Sequence, residues 1–172
     1  MLSKGKDKFI AVGECGLDYD RLEYANKESQ LLAFIPHFDL AQKHKLPMYL
    51  HSRATGSEFN DIVKANRHKF STGVVHSFTG TLQEMQDLVE LDLYIGINGC
   101  SMKTEENCEV VKQVPLDKLM IETDCPYCDI RNSHAGAKHV KTVFPRKDKG
   151  KCASDSSEFQ IVKDRNEPCT IV

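Results

Sequence analysis

Four short apolar runs in this chain lead into a side chain able to bind a metal ion, and helical periodicity separates the runs from one another. Phe9-Ile10-Ala11-Val12 runs into Gly13-Glu14, Leu46-Pro47-Met48-Tyr49-Leu50 ends on His51, and Gly73-Val74-Val75 ends on His76. Lys118-Leu119-Met120-Ile121-Glu122 is followed by Thr123-Asp124. Such short apolar runs predict buried strands, and the first has the β-branched Ile10 and Val12. Pro47 fits only as the first residue of its strand. A fifth run, Leu93-Tyr94-Ile95-Gly96-Ile97, leads to Asn98-Gly99. A carboxylate such as Glu14 at the tip of a buried strand, over residues 9–14, needs a cation. Burying it unpaired costs about 3–5 kcal/mol.

The intervening stretches predict helices. Residues 27–45 place Leu31, Leu32, Phe34, Ile35, Phe38 and Ala41 at helical spacing, and Pro36 should kink or split that helix. Residues 58–66 turn Phe59, Ile62 and Val63 inward. Residues 81–91 open on Thr81 with Glu84 three positions on, a capping box. Residues 104–114 form a fourth helix, which Pro115 ends. Strands alternating with helices predict parallel βαβ units, hence an α/β fold that is either a (β/α) barrel or a doubly wound sheet. No Gly-x-Gly-x-x-Gly follows a strand, so a dinucleotide fold is not indicated. Beyond residue 129 apolar runs become scarce. The charged Arg146–Lys151 run, a solvated loop or a phosphate contact, and the polar Ser154–Glu158 run predict a loop or tail.

Composition narrows the class. The 172 residues allow one domain with a sizeable core, and the formal charge of −2 gives no global sign of nucleic-acid binding. No apolar run nears the ~18–20 residues that span a bilayer, and the charged residues 1–8 do not resemble a secretory signal. An intracellular setting, nucleus or cytoplasm, is expected, with no membrane partner. The seven cysteines are then free thiols. Cys15, Cys100 and Cys108 should pack as small hydrophobes, and Cys125-x-x-Cys128 reads as a redox pair, half a zinc site or plain sequence.

In barrels of parallel strands, sites form at the C-terminal strand ends. Glu14, His51, His76 and Asp124 converging there suit Zn²⁺, Mn²⁺ or Mg²⁺. A carboxylate can also bridge two such ions.

These residues sit in segments that resemble a known family. Gly13-Glu14-Cys15-Gly16-Leu17-Asp18, Pro47-x-x-x-His51-x-Arg53, His76-Ser77-Phe78-x-Gly80 and Glu122-Thr123-Asp124-x-Pro126-Tyr127 resemble, in order, the signature motifs of TatD-type metal-dependent deoxyribonucleases. Arg165-Asn166-Glu167-Pro168 resembles a further motif of that family. The details are most similar to its eukaryotic branch. The resemblance covers residues 9–137 and then 165–169. It implies a distorted TIM-like barrel of the amidohydrolase superfamily. It also implies hydrolysis of DNA phosphodiester bonds, often from 3′ to 5′, with two divalent ions. Glu14 then resembles the ligand bridging both ions, His51 and His76 ligands of one, and Asp124 a ligand of the other that orients the attacking water. Glu14 and Asp124 are the implied catalytic residues. Arg53 is a candidate phosphate contact or a strand-end ion pair. Asp18 is a turn former or a partner of a metal ligand.

Family barrels open on a strand with paired ligands, commonly His-x-His, which this sequence lacks before Phe9. About five of the eight βα units of a roughly 250-residue barrel are countable. The expectation is an incomplete barrel over residues 1–137 and a polar tail over 138–172 that keeps the Arg-Asn-Glu-Pro segment. Such a chain should hold one metal well, through Glu14, His51 and His76, and have weak or no nuclease activity alone. The same scaffold also suits hydrolysis of a small ester, amide or lactone. An inactive form that binds a partner through exposed edges is the third expectation.

Overall fold

Five parallel strands form the main sheet of the computed structural model: β1 (Val12–Asp18), β2 (Met48–Arg53), β3 (Gly73–His76), β4 (Tyr94–Ile97) and β5 (Leu119–Ile121). They lie side by side in chain order. That order decides between the two architectures. A doubly wound sheet reverses direction at a switch point, whereas a barrel wall adds each new strand on the same side. The fold is a five-strand stretch of (β/α) barrel wall. The structure describes residues 8–151 and 160–171. The charged segment 1–7, Cys152 and the polar stretch Ser154–Glu158 lie outside the described residues.

The connections include four helices: α1 (Lys27–His44), α2 (Ser57–Asn66), α3 (Leu82–Glu90) and α4 (Glu105–Val111). Three have side-chain N-caps at Asn26, Thr81 and Thr104. Each such cap satisfies an otherwise open N–H and is worth about 1 kcal/mol. At Thr81 the full capping box with Glu84 is present.

The sheet has two different faces. Cys15, Leu50, Val75, Ile95 and Leu119 pair in register across all five strands. The first four are buried, in a core completed by Phe34, Phe38, Phe59, Val63, Met85 and Leu88 from the helices. Each such side chain contributes roughly 1.5–3 kcal/mol by burial. Cys100 and Cys108 are buried too, and burial pushes the Cys15 thiol up to about 12. Positions between those of this row carry Gly16, His51 and His76, also in register with one another. The helices cover one face, and the histidines belong to the other.

Several boundaries and contacts differ from expectation. β1 starts at Val12 and continues to Asp18, so Glu14 is inside the strand. β2 starts after Pro47 and passes His51 to reach Arg53. Helix α4 stops at Val111. Helix α1 is continuous through Pro36. The carbonyl that Pro36 leaves without an N–H partner belongs to Leu32, which faces solvent. Leu32 and Ile35 are exposed, so the buried stripe is narrower than the spacing suggested. The tail is not all loop: β6 (Arg146–Lys147) pairs in parallel with β7 (Ile161–Val162). No described helix is long and apolar enough to cross a membrane.

Candidate metal centre

Glu14 reaches the site through a bulge. Val12 pairs with Met48 and Cys15 with Leu50, so β1 advances one residue more than β2. Strict alternation would send Glu14 to the helix-packed face beside Val12. The bulge instead buries both Val12 and Cys15 and leaves Gly13-Glu14 between them. Gly13 accepts φ +151°, a conformation that favours glycine. The Glu14 side chain is 51% exposed. The expectation of a buried carboxylate at a strand tip is thereby corrected, because this carboxylate keeps access to water.

His51 and His76 are register partners on adjacent strands. Their rings meet, with His51 Nδ1 3.1 Å from His76 Nε2. Glu14 Oε1 lies 2.8 Å from His76 Nε2 and 3.1 Å from His51 Nδ1. The three atoms form a near-equilateral triangle. Its circumscribed radius is about 1.7 Å, shorter than the ~2.0–2.1 Å of a zinc–nitrogen bond, so one cation can bond all three. Among the described residues this is the sole group of three or more His, Cys, Asp or Glu ligands close enough to share an ion. The remaining ring nitrogens, His51 Nε2 and His76 Nδ1, are buried and make no hydrogen bond. A carboxylate oxygen stands beside each: Asp18 Oδ2 at 3.4 Å and Glu122 Oε1 at 3.6 Å. One nitrogen toward a cation and the other toward a carboxylate is how metal-binding imidazoles are commonly held. The donor set therefore fits a divalent metal.

The two imidazoles differ electrostatically. Burial and the neighbouring His76 hold His51 below the ordinary histidine value, against the pull of Glu14 and Asp18. Burial opposes protonation of His76 as well, but Glu122 and Glu14 outweigh it and hold His76 above that value. For Glu122, burial disfavours the charged form. His76, the Ser77 N–H and the Tyr49 hydroxyl overcome it and hold the carboxylate below its usual range.

Asp124 is not part of the triangle. It follows the end of β5, at φ +51°, and its Oδ2 accepts from the Cys128 thiol at 3.3 Å. Cys125 is exposed. Arg53 Nη1 lies 3.5 Å from Asp18 Oδ2. Asp18 Oδ1 accepts from the Asp20 N–H to start a turn, as expected of a turn former, while Oδ2 faces His51. In Arg165-Asn166-Glu167-Pro168, Asn166 is buried and donates to the Thr123 carbonyl at 2.8 Å, and its own N–H reaches the Pro126 carbonyl at 3.0 Å. That segment therefore braces the loop bearing Asp124. Glu122 is the site residue that sequence reasoning missed. It served only as the last residue of a strand, although a carboxylate adjoining an apolar run was the signal that singled out Glu14.

A singly wound barrel wall with a Glu-His-His group able to hold a cation, its histidines on the face opposite the helices, is the layout of a (β/α)-barrel protein. The comparisons narrow this class. The TatD related DNase model matches residues 2–171, and the chain belongs to that family. It is 44% identical to a deoxyribonuclease Tat-D of Schizosaccharomyces pombe over 98% of this chain and 54% of that protein. It is 40% identical to a 3′-5′ ssDNA/RNA exonuclease TatD of a Rahnella species over 79% of this chain and 54% of that protein. A crystal structure of a TatD family hydrolase from Entamoeba histolytica superposes with a TM-score of 0.89 at 37% identity, covering 99% of this chain and 56% of that one. The chain thus spans about half the length of these relatives.

Proposed function

We propose that this chain is a divalent-metal-dependent deoxyribonuclease unit that cleaves DNA phosphodiester bonds from the 3′ end. The observation that carries the reading is the Glu14–His51–His76 triangle, in a chain of the TatD related DNase family. These three residues would hold the first cation. Two imidazoles favour Zn²⁺ or Mn²⁺ over Mg²⁺. A bound divalent cation supplies Lewis acidity, which polarises a phosphoryl oxygen and makes water a nucleophile at neutral pH.

Glu14, which is half-exposed, and Asp124 would be the carboxylates that hold a second ion. Asp124 would also orient the attacking water. Arg53, released from Asp18, offers two N–H groups to a phosphate. Free cysteines among the described residues fit a reducing setting, nucleus or cytoplasm.

Purified 1–172 protein with 5′-labelled single-stranded DNA and Mn²⁺, Zn²⁺ or Mg²⁺ tests this reading. The expected result is slow shortening from the 3′ end, stopped by a chelator and by His76→Ala. Hydrolysis of small esters with DNA left intact would contradict it and favour a small-molecule hydrolase.

A further inference from the structure

We infer that Glu122 is a positioning residue of the metal site: its carboxylate fixes His76 in the tautomer that presents Nε2 to the cation. The inference rests on the metal-centre reading above and adds a residue to it. His76 is 4% exposed, and its Nε2 belongs to the ligand triangle. Its Nδ1 is buried without a hydrogen bond, and Glu122 Oε1 is 3.6 Å away. With Nε2 occupied by a cation, Nδ1 must carry the ring proton. A carboxylate beside Nδ1 favours that arrangement and strengthens Nε2 as a donor.

Glu122 is held for this task by groups other than His76. Its Oε2 accepts from the Tyr49 hydroxyl at 2.8 Å. Its Oε1 accepts from the Ser77 N–H at 2.5 Å and from the Asn98 amide at 3.4 Å. Tyr49 also stacks on the His76 ring, with centroids 4.8 Å apart and planes 26° from parallel. The same tyrosine therefore orients both the imidazole and its carboxylate. Asn98 is fixed in turn, its Oδ1 accepting from the Cys100 N–H at 2.9 Å. Gly96 completes the arrangement by leaving space. A Cβ there would lie 2.9 Å from His76 Cα and 3.1 Å from Glu122 Oε1. A carboxylate tied by three donors around one imidazole is a poor use of a strand end if only packing is at stake. Taking an ion out of water costs several kcal/mol, and an apolar side chain would pack there without that penalty.

The test compares Co²⁺ and Zn²⁺ binding to the 1–172 chain and to Glu122→Gln. Glutamine keeps the size and an acceptor for Ser77, but loses the charge beside Nδ1. The expected result is a ~10–100-fold loss of metal affinity by calorimetry, with a weakened and shifted Co²⁺ visible absorption band. The metal-free melting temperature should stay within ~2 °C at a pH above the raised His76 value, where His76 is neutral and packing is kept. Equal affinity and an identical Co²⁺ spectrum in a folded Glu122→Gln protein would overturn the inference. If that variant does not fold, nitrogen NMR of the zinc-loaded parent protein decides. Zinc on His76 Nε2 with Nδ1 protonated supports the inference, and zinc on Nδ1 overturns it. A parent protein that binds neither metal overturns the metal-centre reading itself, an outcome distinct from Glu122→Gln binding as tightly as the parent.

Discussion

Strands β1 to β3 and strand β5 carry the same kind of sequence, an apolar run with a His or carboxylate candidate ligand near its end, yet they reach different physical states. On β2 and β3 the two histidines are inside the strands, where register fixes them side by side. On β1 a bulge delivers Glu14 to the same point. At β5 the strand stops at Ile121, ahead of both carboxylates. Met120 and Ile121 are exposed, and the chain leaves through Asp124 at positive φ. Within a sheet, hydrogen-bonded register places a side chain. Past its edge, loop chemistry does so, and here it gives Asp124 to the Cys128 thiol and turns Glu122 back toward His76.

If that contrast is right, mutations on the two sides should differ in kind. The largest effect is expected from the core beneath β2 and β3. Phe59→Ala should cost about 3–5 kcal/mol in urea unfolding, and Ile121→Ala at the exposed edge less than about 1 kcal/mol. Equal losses would break the contrast.

Next comes metal retention. His76→Ala should lower zinc affinity by at least ~100-fold, because one of three candidate ligands is removed. Equilibrium dialysis reads this directly.

A smaller effect is expected from pH. In the metal-free chain the raised His76 value means that its protonated form pairs with Glu122 and Glu14. That stabilisation is complete below the ordinary histidine value and is lost as pH rises through the raised one. Zinc competes with the same proton, so the gain in melting temperature on adding zinc should grow as pH rises across this window. A gain that shrinks with rising pH would place the zinc elsewhere. The smallest effect belongs to Arg53→Ala. It should weaken DNA binding by roughly tenfold, the worth of one charge-assisted phosphate contact, and leave zinc affinity unchanged. Filter binding and calorimetry on the same sample separate the two.

Much of this was visible in the residues, and the misses share a cause. Strand–helix alternation and the Thr81 capping box follow from local rules, and the structure contains both. The bulge was not readable, because period-2 alternation has no way to register one extra residue, and Gly13 was its only trace. Helical spacing groups Leu32 and Ile35 with the buried residues of helix α1, yet both are exposed, because apolar residues surround much of this helix while only one side meets the sheet. The β6–β7 pair is two residues long on each strand, too short for any periodicity to show. Glu122 stayed hidden because its partners, Tyr49, Ser77, His76 and Asn98, come from distant parts of the sequence.

If the β1–β3 face alone assembles a cation site, zinc titration calorimetry with metal analysis of the 1–172 protein should find one tightly bound ion per chain, lost in Glu14→Ala and His76→Ala and kept in Asp124→Ala. No tight binding, or loss of the ion in Asp124→Ala with retention in His76→Ala, would contradict it.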